Sequence, residues 1–207
     1  MLLINNQEVD HLIRMEDCIP EIEEAYRELG LGRAANFPEG GRMDVQAPSP
    51  GKEPERFYIW GGLAGVLPAR EVFAIRMKSD IWYTEPDVNG VPTQKKFCVE
   101  PGTYCGIVLL FSTRNAEPLA VINDGVVQHI RVAATSGVAA KYLARPDSKV
   151  LGLIGSGGMA RTHALAFRAV LPIERINVFS NTPAHRTEYA REMSDRMGIE
   201  VKAMDTP

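Results

Sequence analysis

Residues 148–162 read SKVLGLIGSGGMART, from Ser148 to Thr162. The apolar run Val150–Ile154 leads straight into Gly155-Ser156-Gly157-Gly158-Met159-Ala160, and a helix-like segment follows. This is the G-x-G-x-x-G/A pattern of a dinucleotide-binding turn, placed where a strand feeds a helix. Gly155 permits a tight turn, Gly157 lets backbone approach a pyrophosphate, and Ala160 is small enough for close helix packing. The helix N-terminus adds free N–H groups and the positive end of its dipole. The plainer alternative is a glycine-rich βα turn that binds nothing.

Downstream, Arg161 to Val170 continues as a helix and Arg175–Phe179 as a second strand, ending at Ser180-Asn181-Thr182-Pro183. A ribose-reading side chain belongs there, ~20 residues past the glycines. An Asp or Glu would favour NAD through the ribose 2′-OH, and none stands at that strand end. Ser180, Asn181 and Thr182 offer neutral hydrogen bonds, and Arg186 adds positive charge nearby. That tilts the reading from NAD towards NADP. Alternatively, Arg186 is a solvated residue of the next helix, His185 to Met197. Residues 199–203 begin a third strand. Only β-α-β-α and that strand start follow Lys149, whereas a complete doubly wound domain has about six strands. The expectation is an incomplete Rossmann-type domain and a truncated chain.

Upstream, Gly106–Phe111 and Pro118–Ile122 read as buried strands. Asn123-Asp124-Gly125 then turns into a long helix over 126–143, whose Ala133, Ala134, Gly137, Ala139 and Ala140 permit close approach by a neighbour. Arg131 lies in its early turns beside His129, which reads as structural rather than catalytic. Arg145-Pro146-Asp147 ends this helix. Strands are predicted at Phe57–Trp60 and Val72–Trp82. In the second, Arg76, Lys78 and Asp80 share one face, either an exposed one or one lining a pocket around Lys78. Glu85 to Thr103, with Lys95-Lys96, reads as an elaborated hairpin or loop. Phe37 to Pro54 is rich in Pro and Gly and reads as a functional or mobile loop carrying Arg42. Met15 to Leu29 carries apolar residues at helical spacing, and Asn5 or Asn6 begins a turn.

The fold class is therefore α/β: an α+β domain (1–125), a connecting helix (126–147) and a partial Rossmann-type NAD(P)-binding domain (148–207). The chain has 207 residues, 45% hydrophobic and 24% charged, with net charge −3, an ordinary globular composition. Its scattered basic residues form no nucleic-acid stripe, and no apolar run approaches the ~20 residues of a membrane span. Cys18, Cys98 and Cys105 match no metal spacing, which favours a reducing, cytoplasmic setting.

The combination of Asp124-Gly125, Ile130-Arg131-x-Ala-Ala, the helix through Ala139-Ala140-Lys141-Tyr142-Leu143-Ala144-Arg145-Pro146 and the turn after Val150 resembles the ornithine cyclodeaminase/mu-crystallin family. The match is good over roughly residues 118–190 and looser before them. The resemblance implies that residues 1–125 form a substrate-binding and dimerisation domain, in a homodimer acting on a small L-amino acid or cyclic imine by hydride transfer with NAD or NADP. It makes Arg42 a substrate-carboxylate arginine, Lys78 the active-site lysine and Arg131 an arginine meeting both carboxylate and cofactor. Thr103, counted back from Arg131 without gaps, matches a cofactor-contacting threonine. Gly158 and Met159 match the pyrophosphate turn, and Ser180 the ribose position. Two guanidinium groups can hold an α-carboxylate bidentately, and a lysine beside them can polarise a water or an imine.

The chain also departs from the family. Val132 stands where it usually has threonine, and the segment from Lys78 to Thr103 is long. The aspartate used as acid/base in ornithine cyclodeaminase would lie beyond Pro207. The alternative to an enzyme is thus a mu-crystallin-like protein that binds NADP(H) or a small ligand without turnover.

Overall fold

A computed structural model describes residues 1–39, 43–50, 55–87, 90–97 and 106–207. In chain order the elements are β1 (Leu2–Ile4), α1 (Asn6–Leu12), α2 (Met15–Gly30), β2 (Ala35–Phe37), β3 (Met43–Pro48), β4 (Arg56–Leu67), β5 (Val72–Pro86), β6 (Pro92–Phe97), β7 (Gly106–Ser112) and β8 (Pro118–Asn123). After them come α3 (Asp124–Leu143), β9 (Val150–Ile154), α4 (Gly158–Val170), β10 (Arg175–Phe179), α5 (Pro183–Met197) and β11 (Glu200–Ala203). They form two compact units. One comprises Met1–Leu12 and Ala25–Gln128, the other Ile13–Glu24 and His129–Pro207.

The first unit is an eight-stranded sheet ordered β1-β8-β7-β5-β4-β2, with β3 also on β4 and β6 also on β5. Its frame is the antiparallel pair β4–β5, in register from Arg56 opposite Tyr83 to Leu67 opposite Val72. Both strands run past the predicted bounds, because each pairs on its other edge with two further strands in succession. On its far edge β5 pairs with β7 over residues 72–78 and with β6 over residues 81–86. The Pro-rich segment predicted as a loop contributes β3, which pairs with β4 from Met43 opposite Gly62 to Pro48 opposite Phe57. Its pairing comes from β4, so its own composition carries little sign of it. At the other edge β1 lies parallel to β8. The turn expected at Asn5 is a helix start: Asn5 Oδ1 accepts from Glu8 N at 3.0 Å and Glu8 Oε2 accepts from Asn5 N at 2.8 Å. This reciprocal box opens α1.

In the second unit β9, β10 and β11 form a parallel sheet ordered β11-β10-β9, with α4 and α5 as the crossovers. The five-residue strands are too short to bury much alone, so the helices supply the rest. Ile176, Val178, Tyr189, Met193 and Ala164 are fully buried together. Leu151 and Leu153 of β9 pack against them. Small residues let α3 approach α4: a Cβ on Gly137 would stand 3.3 Å from the Ala166 carbonyl and 3.4 Å from Ile19 of α2. The small-residue stripe is a packing surface.

Candidate functional site

In the antiparallel unit, alternation along β5 puts Arg76, Lys78 and Asp80 on one face, and that face is buried at Lys78 (3% exposed) and Asp80 (5%). Lys78 Nζ donates to Asp80 Oδ2 at 2.8 Å. From the facing strand β6, Lys96 Nζ donates to the other carboxylate oxygen at 3.1 Å and lies 4.7 Å from the Trp82 ring centroid. Burial alone pushes the Asp80 carboxyl up, but hydrogen bonds and charge from Lys78 and Lys96 outweigh that, and the group lies below the usual aspartate value. Arg76 Nε donates to Asp124 Oδ2 at 2.9 Å and its Nη2 to Gln128 at 2.8 Å. Gly61 stands opposite Lys78 in the ladder. A Cβ there would lie 2.7 Å from Lys78 Cε and 2.6 Å from Asp44 Oδ1, so the lysine stem crosses the sheet where side-chain bulk is missing.

In the parallel unit the sequence-marked turn stands at the carboxyl end of β9. Gly155 has φ +112°, a conformation that excludes ordinary side chains. Its N–H donates to Phe179 O at 2.7 Å, and Ser156 Oγ donates to Ser180 Oγ at 3.0 Å. The ends of β9 and β10 are thereby tied to one another. Gly157 is the N-cap of α4 and no side chain caps the helix, so by helix geometry the N–H groups of Gly158 and Met159 lack intrahelical acceptors. A Cβ on Gly155 or Gly157 would meet nothing within 4 Å. Open space, uncapped N–H groups and a helix N-terminus fit a dinucleotide pyrophosphate. The turn is anchored from behind. Arg161 donates to Ser156 O at 2.9 Å and to Glu192 at 2.5–3.0 Å, with its guanidinium over the Tyr189 ring. Tyr189 donates to Ala160 O at 3.0 Å, and burial pushes its hydroxyl up to about 12.

Gly155, Gly157, Gly158, Met159, Ser180, Asn181 and Thr182 thus gather around the ends of β9 and β10. Arg131 is an exposed residue of α3 in the same unit, and Lys78 belongs to the antiparallel unit. Arg42 and Thr103 lie outside the described residues. His129 faces Gly158, where an added Cβ would stand 3.1 Å from its Cε1. Arg186, read as a charge for a cofactor phosphate or a solvated residue, is buried. It donates to Ser180 O at 2.9 Å and to Asp205 at 2.6 Å, and lies 5.6 Å from the Phe179 ring centroid. Sequence reading gave no role to Lys96 or Asp124. Their signal is the strand register, which places Lys96 opposite Trp82 and Gly106 opposite Lys78.

A three-stranded parallel sheet with helical crossovers and a glycine turn at the first strand end defines a Rossmann-type unit. The ornithine cyclodeaminase/mu-crystallin family model matches residues 1–207, and the chain belongs to that family. The ornithine cyclodeaminase of Agrobacterium fabrum is 34% identical over 116 residues, 56% of this chain and 32% of that protein. The alanine dehydrogenase of Archaeoglobus fulgidus is 27% identical over 200 residues, 94% of this chain and 53% of that protein. Among solved structures, the Thermococcus litoralis Delta(1)-pyrroline-2-carboxylate reductase in complex with NADH and L-proline superposes with TM-score 0.77 at 30% identity, covering 100% of this chain and 57% of the other. The chain thus spans at most about half the length of these two curated relatives.

Proposed function

We propose that this chain carries the substrate lysine and the cofactor turn of an NAD(P)-dependent oxidoreductase acting on a small L-amino acid or cyclic imine. The observation that carries the reading is the Gly155–Met159 turn, open to a ligand at the end of β9, in a chain that belongs to the family throughout. The relative bound to NADH and L-proline supports a cyclic imino acid as substrate class. Hydride exchange with the substrate α-carbon is the chemistry that a nicotinamide supplies when bound.

The protein's own residues do the rest. The N–H groups of Gly158 and Met159 hold the pyrophosphate, and Ser180, Asn181 and Thr182 hold the ribose. The family resemblance gives Arg42 and Arg131 the role of carboxylate ligands, and Arg131 and Thr103 that of cofactor contacts. Lys78 donates a hydrogen bond to the substrate nitrogen or a bound water. Arg186 is held by Ser180, Asp205 and Phe179, so a 2′-phosphate would have to compete with Asp205 for it. We therefore assign NAD or NADP, with the neutral strand end favouring NADP. A cytoplasmic homodimer belongs to the same reading. Exposed apolar residues on the sheet, among them Phe37, Val45, Phe57 and Ile107, support a partner surface.

Nicotinamide fluorescence on titration with NADH and NADPH tests the cofactor assignment, and failure to bind either would overturn it. Arg131→Ala should lose most NADH-linked turnover of Δ1-pyrroline-2-carboxylate, and unchanged kinetics would remove Arg131 from the site. Binding without turnover in the full-length protein would favour the mu-crystallin-like alternative.

A further inference from the structure

Lys78 is one of the most buried cations of the antiparallel unit, and what surrounds it is specific. Asp80 (β5) accepts from it at 2.8 Å. Lys96 (β6) takes the other oxygen of the same carboxylate. Asp44 (β3) lies with the Lys78 stem over Gly61. Arg76 stands two residues back on the same face, and Asp124, at the start of α3, lies over Gly106, opposite Lys78. A carboxylate this buried costs desolvation and persists only with partners. Two lysines converging on its two oxygens leave it little freedom to rotate.

We infer that Asp80 is a positioning residue for Lys78, fixing its Nζ as a charged donor, and that Lys96 sets the strength of that hold by sharing the carboxylate. The inference rests on the reading of Lys78 as the active-site lysine. With Asp80 in place, Lys78 presents its remaining N–H bonds to an acceptor on the substrate. Without Asp80, Lys78 loses its nearest opposite charge and hydrogen-bond acceptor while Arg76 and Lys96 remain, and its Nζ is no longer held in one place. Without Lys96, the carboxylate serves Lys78 alone and a like charge disappears, so the effect has the opposite sign.

The test uses the full-length protein and two readouts. The first is NADH-linked reduction of Δ1-pyrroline-2-carboxylate as a function of pH. The second is the ¹H–¹⁵N NMR signal of the Lys78 ammonium at mildly acid pH with NADH absent, whose slow proton exchange reports a held Nζ. Asp80→Asn should lower kcat about 100-fold with KM little changed. It should also broaden the Lys78 ammonium signal beyond detection, and Asp80→Glu should recover part of both. Lys96→Met, at a position whose side chain is 35% exposed, should sharpen the Lys78 ammonium signal. That arm stands even where Asp80→Asn fails to fold. A Lys78 ammonium signal unchanged in both Asp80→Asn and Lys96→Met overturns the inference. Changed ammonium signals without turnover in the wild type would leave the Asp80–Lys78 pairing supported and remove the proposed activity instead.

Discussion

The two units bury different things. In the parallel unit the fully buried large side chains are Ile176, Val178, Tyr189 and Met193, gathered between β9–β11 and the helices α4 and α5. In the antiparallel unit, Lys78, Asp80 and Asp124 are as deeply buried as Val9 and Ala120. Hydrocarbon burial stabilises wherever it occurs, at about 25 cal/mol per Å². A buried ion pair does not, because desolvation offsets most of the attraction. Charge that is kept out of water without a stabilising return points to chemistry. The one buried arginine of the parallel unit, Arg186, follows the same logic: it holds the strand end that is assigned to the ribose.

Substitutions can sharpen this contrast. Asp80→Asn leaves a buried ammonium short of its partner and should cost about 3–5 kcal/mol in urea unfolding. The joint change Lys78→Met and Asp80→Leu should restore most of that stability while abolishing turnover. A double variant as unstable as the single one would mean that the pair is structural. Met193→Ala should cost about 2–5 kcal/mol through its cavity, and no second substitution of charge would rescue it.

The pH dependence separates the units as well. Asp80 lies below its ordinary value when folded, so its contribution is present above the unfolded value, ~3.9. It is lost as pH falls through the folded value. Asp80→Asn should therefore flatten the acid limb of the stability curve below about pH 4, and Met193→Ala should leave its shape unchanged. Arg161→Ala removes the anchor on Ser156. Because Arg161 and Glu192 are partly solvated, it should cost only about 0.5–1 kcal/mol, yet weaken NADH binding. The smallest effect is expected at Asp205, whose side chain is 97% exposed. Asp205→Ala frees Arg186 and should raise affinity for NADPH relative to NADH about threefold, measured by fluorescence titration.

How much of this was legible in the sequence follows from how local each signal is. The glycine turn, β7, β8 and most of α3 and α5 announce themselves within a dozen residues, through period, glycine placement and Arg145-Pro146. The shared face of Arg76, Lys78 and Asp80 is legible too, since alternation fixes it. What the sequence hides is pairing at a distance. β3 is a strand because β4 lies beside it, and its six residues are exposed. Asp80 meets Lys96 across a hairpin whose register no local rule sets, and Arg76 meets Asp124 across 48 positions. Arg186 reads as a surface residue because nothing near it in the chain reveals Phe179 beneath it and Asp205 beyond.

The most direct measurement is NADH-linked reduction of Δ1-pyrroline-2-carboxylate by the wild type and by Lys78→Met, with NADH affinity determined on the same samples. The variant should bind NADH as the wild type does while turnover falls at least about 100-fold. A variant that turns over like the wild type, or a wild type that binds NADH and never oxidises it, would contradict the account.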